Sequence, residues 1–342
     1  MSTGKSILVT GGTGFLGKAV LRALAAAGRA GDVRALVRSE TRSLAKLGVE
    51  QIIGDVLDVQ SLYRATAGVT HVFHLAGLVS RDKKDETRMM RVHVDGTRHV
   101  FEAARAAGVE RILLASSSGT VAVSEDADVV ASEESPFAYE IVKGWPYYLS
   151  KIYQEQLALK YAAEGLPVII LNPSLLLGPG DSRGSSTEDV RRFLQKKIPV
   201  VPDGGVNFVD VRDAAAAFVA AMTRGRAGER YLLGGPNWDM KTFFGRLERL
   251  AKVGAPRLEI PASWARWGAT LVEEWAAWRG TVASIDRQSV EMGQHFWYVD
   301  SSKAERELGF EARDPQETLL DTIRYLRKHF LNEPPKSDYE IA

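Results

Sequence analysis

The chain has 342 residues, with 44 Lys and Arg against 43 Asp and Glu. That length supports one large or two modest domains around a sizeable core. Near-neutral charge argues against nucleic acid as the main partner, because such binding is driven by clustered Lys and Arg. With no cysteine, disulfides, thiolate metal sites and cysteine nucleophiles are excluded, and a reducing compartment is compatible.

In chain order, Met1 to Ser6 is short and polar and runs straight into a strand, so it does not read as a signal peptide. Ile7 to Val9 reads as a buried parallel strand and Lys18 to Ala27 as a helix stopped by Gly28. The alternation continues with strands at Val33 to Val37 and Glu50 to Ile53, a helix at Ser61 to Thr66 and a strand at His71 to Leu75. A long helix follows at Met89 to Ala107, then a strand at Arg111 to Ala115, a helix at Pro146 to Ala163 and a strand at Val168 to Leu171. Such spacing predicts right-handed crossovers and an α/β fold with a doubly wound parallel sheet covered on both faces.

After Asn172 the regularity fades into irregular helices and short strands. Asp210 to Met222 reads as a helix, and Glu229 to Leu233 as a strand able to rejoin the main sheet. Trp264, Trp267, Trp275 and Trp278 mostly share one helix face, read as core packing or as an apolar lid. The division expected is 1–172 as a cofactor domain, rejoined by about 209–235, with 173–342 as an interleaved, mainly helical substrate lobe. The most apolar run, Leu166 to Leu177, is broken by Asn172 and Pro173 and is too short to span a bilayer. The expectation is a cytoplasmic protein without an integral membrane segment.

Thr10-Gly11-Gly12-Thr13-Gly14-Phe15-Leu16-Gly17 follows a strand and opens a helix. Glycines serve where the backbone turns sharply, approaches a pyrophosphate and packs helix on strand. Helix N-terminal amides then face the phosphate charge. This context marks a dinucleotide site seated on Gly11, Thr13, Gly14, Phe15, Leu16 and Gly17. NAD folds place an acid at the end of the second strand to hold the ribose hydroxyls. Here Arg38 stands there, with Arg42 nearby, which suits the 2′-phosphate of NADP; NAD is the alternative. Asp55 and Val56, after the third strand, are placed to meet the adenine, and Leu75-Ala76-Gly77 to leave room for the cofactor.

Tyr147 and Lys151 are four apart at the start of a helix and share a face. A neighbouring ammonium and the helix dipole are expected to lower the phenol pKa, so that Tyr147 exchanges a proton with a substrate hydroxyl or carbonyl. The strand Arg111 to Ala115 ends in Ser116-Ser117-Ser118, where a hydroxyl can bond the reacting oxygen.

On these motifs, with Asn172-Pro173, Gly178-Pro179-Gly180-Asp181 and Phe208 to Ala214, the chain resembles the extended short-chain dehydrogenase/reductases. Within them it is most similar to dihydroflavonol 4-reductase-like proteins and hopanoid-associated sugar epimerases. The resemblance implies a Rossmann-type sheet, Ser117 as the family serine with Ser116 and Ser118 as near misses, and Tyr147 as acid or base. It also implies Lys151 on the nicotinamide ribose, Pro173 against the nicotinamide, and a homodimer paired through the long helices. One departure stands out: many relatives carry Asn on the long helix where this chain has His93.

The reading that follows is an NADP-dependent oxidoreductase interconverting a carbonyl and an alcohol on a small, apolar substrate. Rivals are a nucleotide-sugar epimerase or dehydratase, for which Arg183, Arg191 and Arg192 are phosphate contacts to consider, a 3-hydroxysteroid or sterol dehydrogenase, and a non-catalytic cofactor-sensing protein. Leu78 to Glu86 and Val121 to Gly144 are expected to frame the mouth. No His, Asp or Glu cluster has metal-ligand spacing.

Overall fold

The structure is a computed structural model that describes residues 6–256 and 287–331. The four tryptophans expected to share a helix face lie outside the described residues.

Seven parallel strands form the main sheet in the order β3-β2-β1-β4-β5-β6-β9. They are β1 (Ile7–Thr10), β2 (Val33–Val37), β3 (Glu50–Ile53), β4 (His71–His74), β5 (Arg111–Ala115), β6 (Val168–Pro173) and β9 (Arg230–Leu233). The central strands read as continuous apolar runs because both faces are covered. On one face Val9, Phe73, Leu113 and Ile169 pack on α1 (Phe15–Ala26) and α9 (Val211–Arg224). On the other, Leu8, Val72, Ile112 and Ile170 pack on α3 (Val59–Thr66), α5 (Gly96–Ala107) and α7 (Pro146–Ala163). Strand order reverses between β1 and β4, so the loops after these two strands flank the crevice where ligands bind in such sheets.

The helix expected from Met89 is longer and interrupted. It runs as α4 (Glu86–Met90), one π turn at Arg91–Asp95, and α5. A π turn adds a residue to the helical ladder, and here that turn carries the buried His93. The predicted helix at Asp210 starts one residue later, because the Asp210 side chain accepts from the Arg212 amide as its N-cap.

The strand Glu229 to Leu233 does return to the main sheet, as β9 beside β6. A second sheet forms from β7 (Leu175–Leu177), β8 (Gly205–Asp210) and β10 (Asn237–Asp239). Around it lie α8 (Glu188–Leu194), α10 (Met240–Ala251) and α13 (Pro315–Phe330), whose Phe193, Phe244, Leu247 and Leu326 close a separate core. Two short helices, α11 (Arg287–Met292) and α12 (Ser302–Leu308), complete this end. Among the described residues no helix is long and apolar enough to cross a membrane.

Candidate functional site

The glycine turn lies between β1 and α1, and its glycines are required by geometry. Gly11 has φ +73°, and a Cβ there would stand 2.5 Å from the carbonyl carbon of Leu75. A Cβ on Gly17 would collide with the Gly11 carbonyl oxygen. Helices α3, α9, α10 and α13 each begin at an Asp whose carboxylate accepts a backbone amide. Helix α1 begins at Gly14 with no side-chain cap and no acid in its first turn. Its N-terminal amides and positive dipole end are thereby left to an external anion.

Arg38 is exposed just past the end of β2. The loop that carries it is pinned where Thr41 donates its amide to the Gln51 side chain at 2.8 Å and accepts from it at 3.2 Å. Arg42 opens a one-turn helix beside it, α2 (Arg42–Ala45). Asp55 folds its carboxylate onto the Leu57 amide at 2.9 Å, and Val56 is buried. On the other side of the crevice, Leu75 and Ala76 crowd the Gly11 turn, and a Cβ on Gly77 would lie 3.8 Å from Lys151 Nζ. Pro173 ends β6.

The three serines after β5 separate cleanly. Ser116 Oγ donates to the buried Glu155 carboxylate at 2.5 Å. Ser118 is buried at the head of a 3-10 turn. Ser117 is half-buried and stands near enough to Tyr147 to pull the phenol's pKa down. Lys151 is buried and donates to the Ala115 carbonyl and to Gln154 Oε1, both at 2.8 Å. Burial pulls its pKa down to about 7, opposed by the Glu155 carboxylate.

The expected lowering of the Tyr147 pKa is not what these side chains produce. Burial drives the phenol up, the neighbouring Tyr148 adds to this, and Ser117 pulls it back. The reason is desolvation: a buried phenolate loses water that a lysine itself shifted toward neutrality does little to replace.

His93 is held at both ring nitrogens. Nε2 accepts from the Leu78 amide at 3.0 Å, so Nδ1 carries the hydrogen toward Ser150 Oγ, 2.8 Å away. Ser150 in turn donates to the Tyr147 carbonyl at 2.7 Å. Burial, with Lys151 next, holds His93 well below the ordinary histidine pKa, so the ring is neutral. It ties the loop after β4 to the start of α7.

Sequence reasoning passed over Gln154 and Glu155. Glu155 is fully buried and takes bonds from Ser116, Thr120 Oγ1 (3.0 Å), Asn172 Nδ2 (2.7 Å) and Arg230 (3.1 Å). The signal available was spacing: residues 147, 151 and 155 recur every four positions on one helix face.

At the mouth, Arg81 forms a two-pronged pair with Asp189 at 3.0 and 3.3 Å and donates to Ser289 at 2.9 Å. It thereby joins the loop after β4 to α8 and α11. Tyr148 meets Tyr147 edge to face, with ring centres 5.0 Å apart, and leans on Trp297 at 4.9 Å, which stacks on Trp145. Gly119 leaves room for this wall, since a Cβ there would strike the Tyr148 ring. Arg191 and Arg192 are tied to Glu188 within α8. Arg183 lies close enough to Lys18 to depress its pKa, behind the larger effect of burial. Among the described residues no group of His, Asp or Glu is arranged to hold a metal ion.

Residues 7–234 match the model of the NAD dependent epimerase/dehydratase family. The chain is 34% identical over 328 residues to a protein of Synechocystis named putative dihydroflavonol 4-reductase, covering 94% of each. It is 32% identical over 326 residues to sterol demethylase protein B of Methylococcus capsulatus, covering 94% of this chain and 98% of that one. The crystal structure of gox2253 superposes with a TM-score of 0.82 at 34% identity, over 95% of this chain and 99% of that one. Fold, glycine turn and relatives agree: the chain belongs to the NAD-dependent epimerase/dehydratase family, the extended short-chain dehydrogenase/reductases, and is an NAD(P)-dependent oxidoreductase.

Proposed function

We propose that this protein is an NADP-dependent reductase that interconverts a carbonyl and an alcohol on a small, apolar substrate. One observation carries the reading. Ser117, just past the end of β5, faces Tyr147, and Lys151 stands one turn further along α7 with its Nζ bordering Gly77.

The residues present fit a dinucleotide. The cradle at Gly11 and Gly17 is one that a Cβ would fill, and α1 offers its amides uncapped. Gly11, Thr13, Gly14, Phe15, Leu16 and Gly17 would hold the pyrophosphate. Arg38 would hold the 2′-phosphate, Asp55 and Val56 the adenine. Leu75, Ala76, Gly77, Lys151 and Pro173 would enclose the nicotinamide riboside. Bound there, the dinucleotide supplies or accepts a hydride at the nicotinamide end.

The chain's own residues handle the proton and the charge. Tyr147, kept protonated by burial, is ready as the acid that delivers a proton to a carbonyl oxygen. Ser117 steadies that oxygen by donating a second hydrogen bond. Lys151 gives two N–H donors to Ala115 and Gln154; its third would be free to hold the ribose, and its positive charge would offset negative charge on the phenol as the proton leaves.

The partly buried rings of Tyr148 and Trp297, backed by the core residue Trp145, support an apolar substrate. The names of the relatives, a flavonoid reductase and a sterol-processing protein, point the same way. The rival nucleotide-sugar epimerase needs cations for a diphosphate; of the three arginines considered for it, Arg191 and Arg192 are paired with Glu188, which leaves Arg183 beside Lys18. The family's homodimer, paired through α5 and α7, is part of the proposal.

The test is stoichiometry. Purified protein is given NADPH and a panel of aldehydes, aromatic ketones, sterols and nucleotide sugars. The expected result is one alcohol formed per NADPH consumed. An isomerised sugar formed with no net NADPH consumption would overturn the reading in favour of the epimerase.

A further inference from the structure

A line of buried polar groups crosses the molecule beneath the crevice. Lys151 Nζ donates to Gln154 Oε1 at 2.8 Å, and Gln154 Nε2 donates to Thr97 Oγ1 at 2.7 Å. Thr97 Oγ1 lies 2.9 Å from His74 Nε2, and His74 Nδ1 lies 2.8 Å from Thr10 Oγ1. Thr10 Oγ1 also accepts from the Ala76 amide at 3.3 Å. All five residues are buried, four of them completely excluded from solvent apart from Lys151 at 5% exposure. The line starts where the catalytic lysine would meet the ribose and ends at the residue before the glycine turn.

Its direction follows from chemistry. Lysine can only donate, so Gln154 must present its oxygen to Lys151 and its amide hydrogens to Thr97. Thr97 has one hydroxyl hydrogen to give, and giving it to His74 Nε2 continues the order that the lysine sets. His74 then carries its own hydrogen on Nδ1, toward Thr10. In this order each hydrogen points away from the ammonium, the arrangement a buried cation favours.

We propose, building on the reading above, that Gln154 is a positioning residue for Lys151. Gln154, Thr97 and His74 act as one polarised hydrogen-bond chain that couples the charge of Lys151 to the tautomer of His74 and to Thr10. Among the described residues, the titratable groups facing Lys151 are Glu155 from its own helix, His74 from β4 and His93 from the π turn. Both histidines are neutral through burial, His74 with its pKa at about 3. Among the described residues, Glu155 is thus the charge that opposes desolvation of the lysine.

A carboxylate at position 154 reverses the chain. It cannot donate to Thr97, so Thr97 donates to it. His74 must then donate from Nε2 to Thr97 and accept at Nδ1 from Thr10. The same carboxylate stabilises the ammonium.

The experiment uses full-length protein without added dinucleotide. Histidine tautomers are read from two-bond 15N–1H correlations, and Lys151 is titrated through its 13C-labelled Cε, assigned with Lys151→Met. Wild type is expected to show His74 as the Nδ1–H form. Gln154→Glu is expected to show the Nε2–H form and a Lys151 midpoint raised by about one pH unit or more. Gln154→Met is expected to lower that midpoint. A wild-type Nε2–H form, or an unchanged tautomer and midpoint in Gln154→Glu, overturns the proposal. Thermal unfolding is recorded first. Should Gln154→Met not fold, the near-isosteric Gln154→Glu and the wild-type tautomer carry the test. These spectra need no substrate, so their failure is distinct from a failure to find carbonyl reduction.

Discussion

Arg230 reaches from β9 to within 3.1 Å of Glu155 on α7, pairing a guanidinium that is 17% exposed with a carboxylate shut off from water. The pair closes a knot that also holds Ser116, Thr120 and Asn172, and so frames the backbone on either side of Ser117. Burying a charge is costly, and removing one partner strands the other. Arg230→Met should therefore lower unfolding free energy by about 3–5 kcal/mol, measured by urea denaturation. Adding Glu155→Leu should recover part of that loss. A loss under about 1 kcal/mol in the single variant would mean that the three neutral donors hold Glu155 unaided.

Gly17→Ala should abolish tight dinucleotide binding while leaving most of the fold. The new methyl group meets the Gly11 carbonyl oxygen and, at 2.8 Å, the Gly12 Cα, so the turn must open. Calorimetric titration with NADPH is expected to show affinity reduced at least about tenfold, the equivalent of about 1.4 kcal/mol. Binding at wild-type strength would place the pyrophosphate elsewhere.

Arg38→Ala tests the cofactor preference. A charge-assisted bond to a phosphate contributes about 1.5–3 kcal/mol, so the kcat/KM ratio of NADPH over NADH should drop about tenfold to a hundredfold. The NADH value alone should hardly move. An unchanged ratio would remove Arg38 from the 2′-phosphate.

Tyr147→Phe keeps the ring and its packing on Tyr148 and loses the proton. Turnover should fall by about 10²–10⁴, with NADPH affinity within about twofold of wild type by the same titration. Ser117→Ala should fall less, since Tyr147 still delivers its proton. Wild-type turnover in Tyr147→Phe would exclude this tyrosine as the acid.

The pH dependence of stability should carry the mark of His74. Burial holds its folded pKa at about 3 against an ordinary value of 6.5. Between those two values the unfolded chain binds the extra proton, so stability falls as pH drops through that window. His93 acts in the same direction. Urea denaturation at pH 7 and pH 5 should show a larger loss in wild type than in His74→Gln. Equal losses would mean that His74 is not buried in its neutral form.

Much of the sheet was legible because its strands are short apolar runs bounded by glycine and turn residues. Val33–Val37, Glu50–Ile53 and Arg111–Ala115 fall where the pattern put them. The long helix was read as continuous because a π turn leaves hydrophobic spacing almost intact; only hydrogen bonding along the backbone reveals it. The second sheet was missed because β7 and β10 have three residues each, too few for a period to register.

The amino-acid order alone determined the glycine turn, the arginine past β2 and the tyrosine and lysine on one helix face, since each is a matter of spacing within one element or of residue type at its end. Tertiary structure alone decided which of three serines meets Tyr147. It sent Ser116 to Glu155, buried Lys151 until its pKa fell to about 7, and joined Lys151 to Thr10 through residues 154, 97 and 74. Those outcomes depend on desolvation and on hydrogen bonds between segments far apart in the chain, and neither is a property of local sequence.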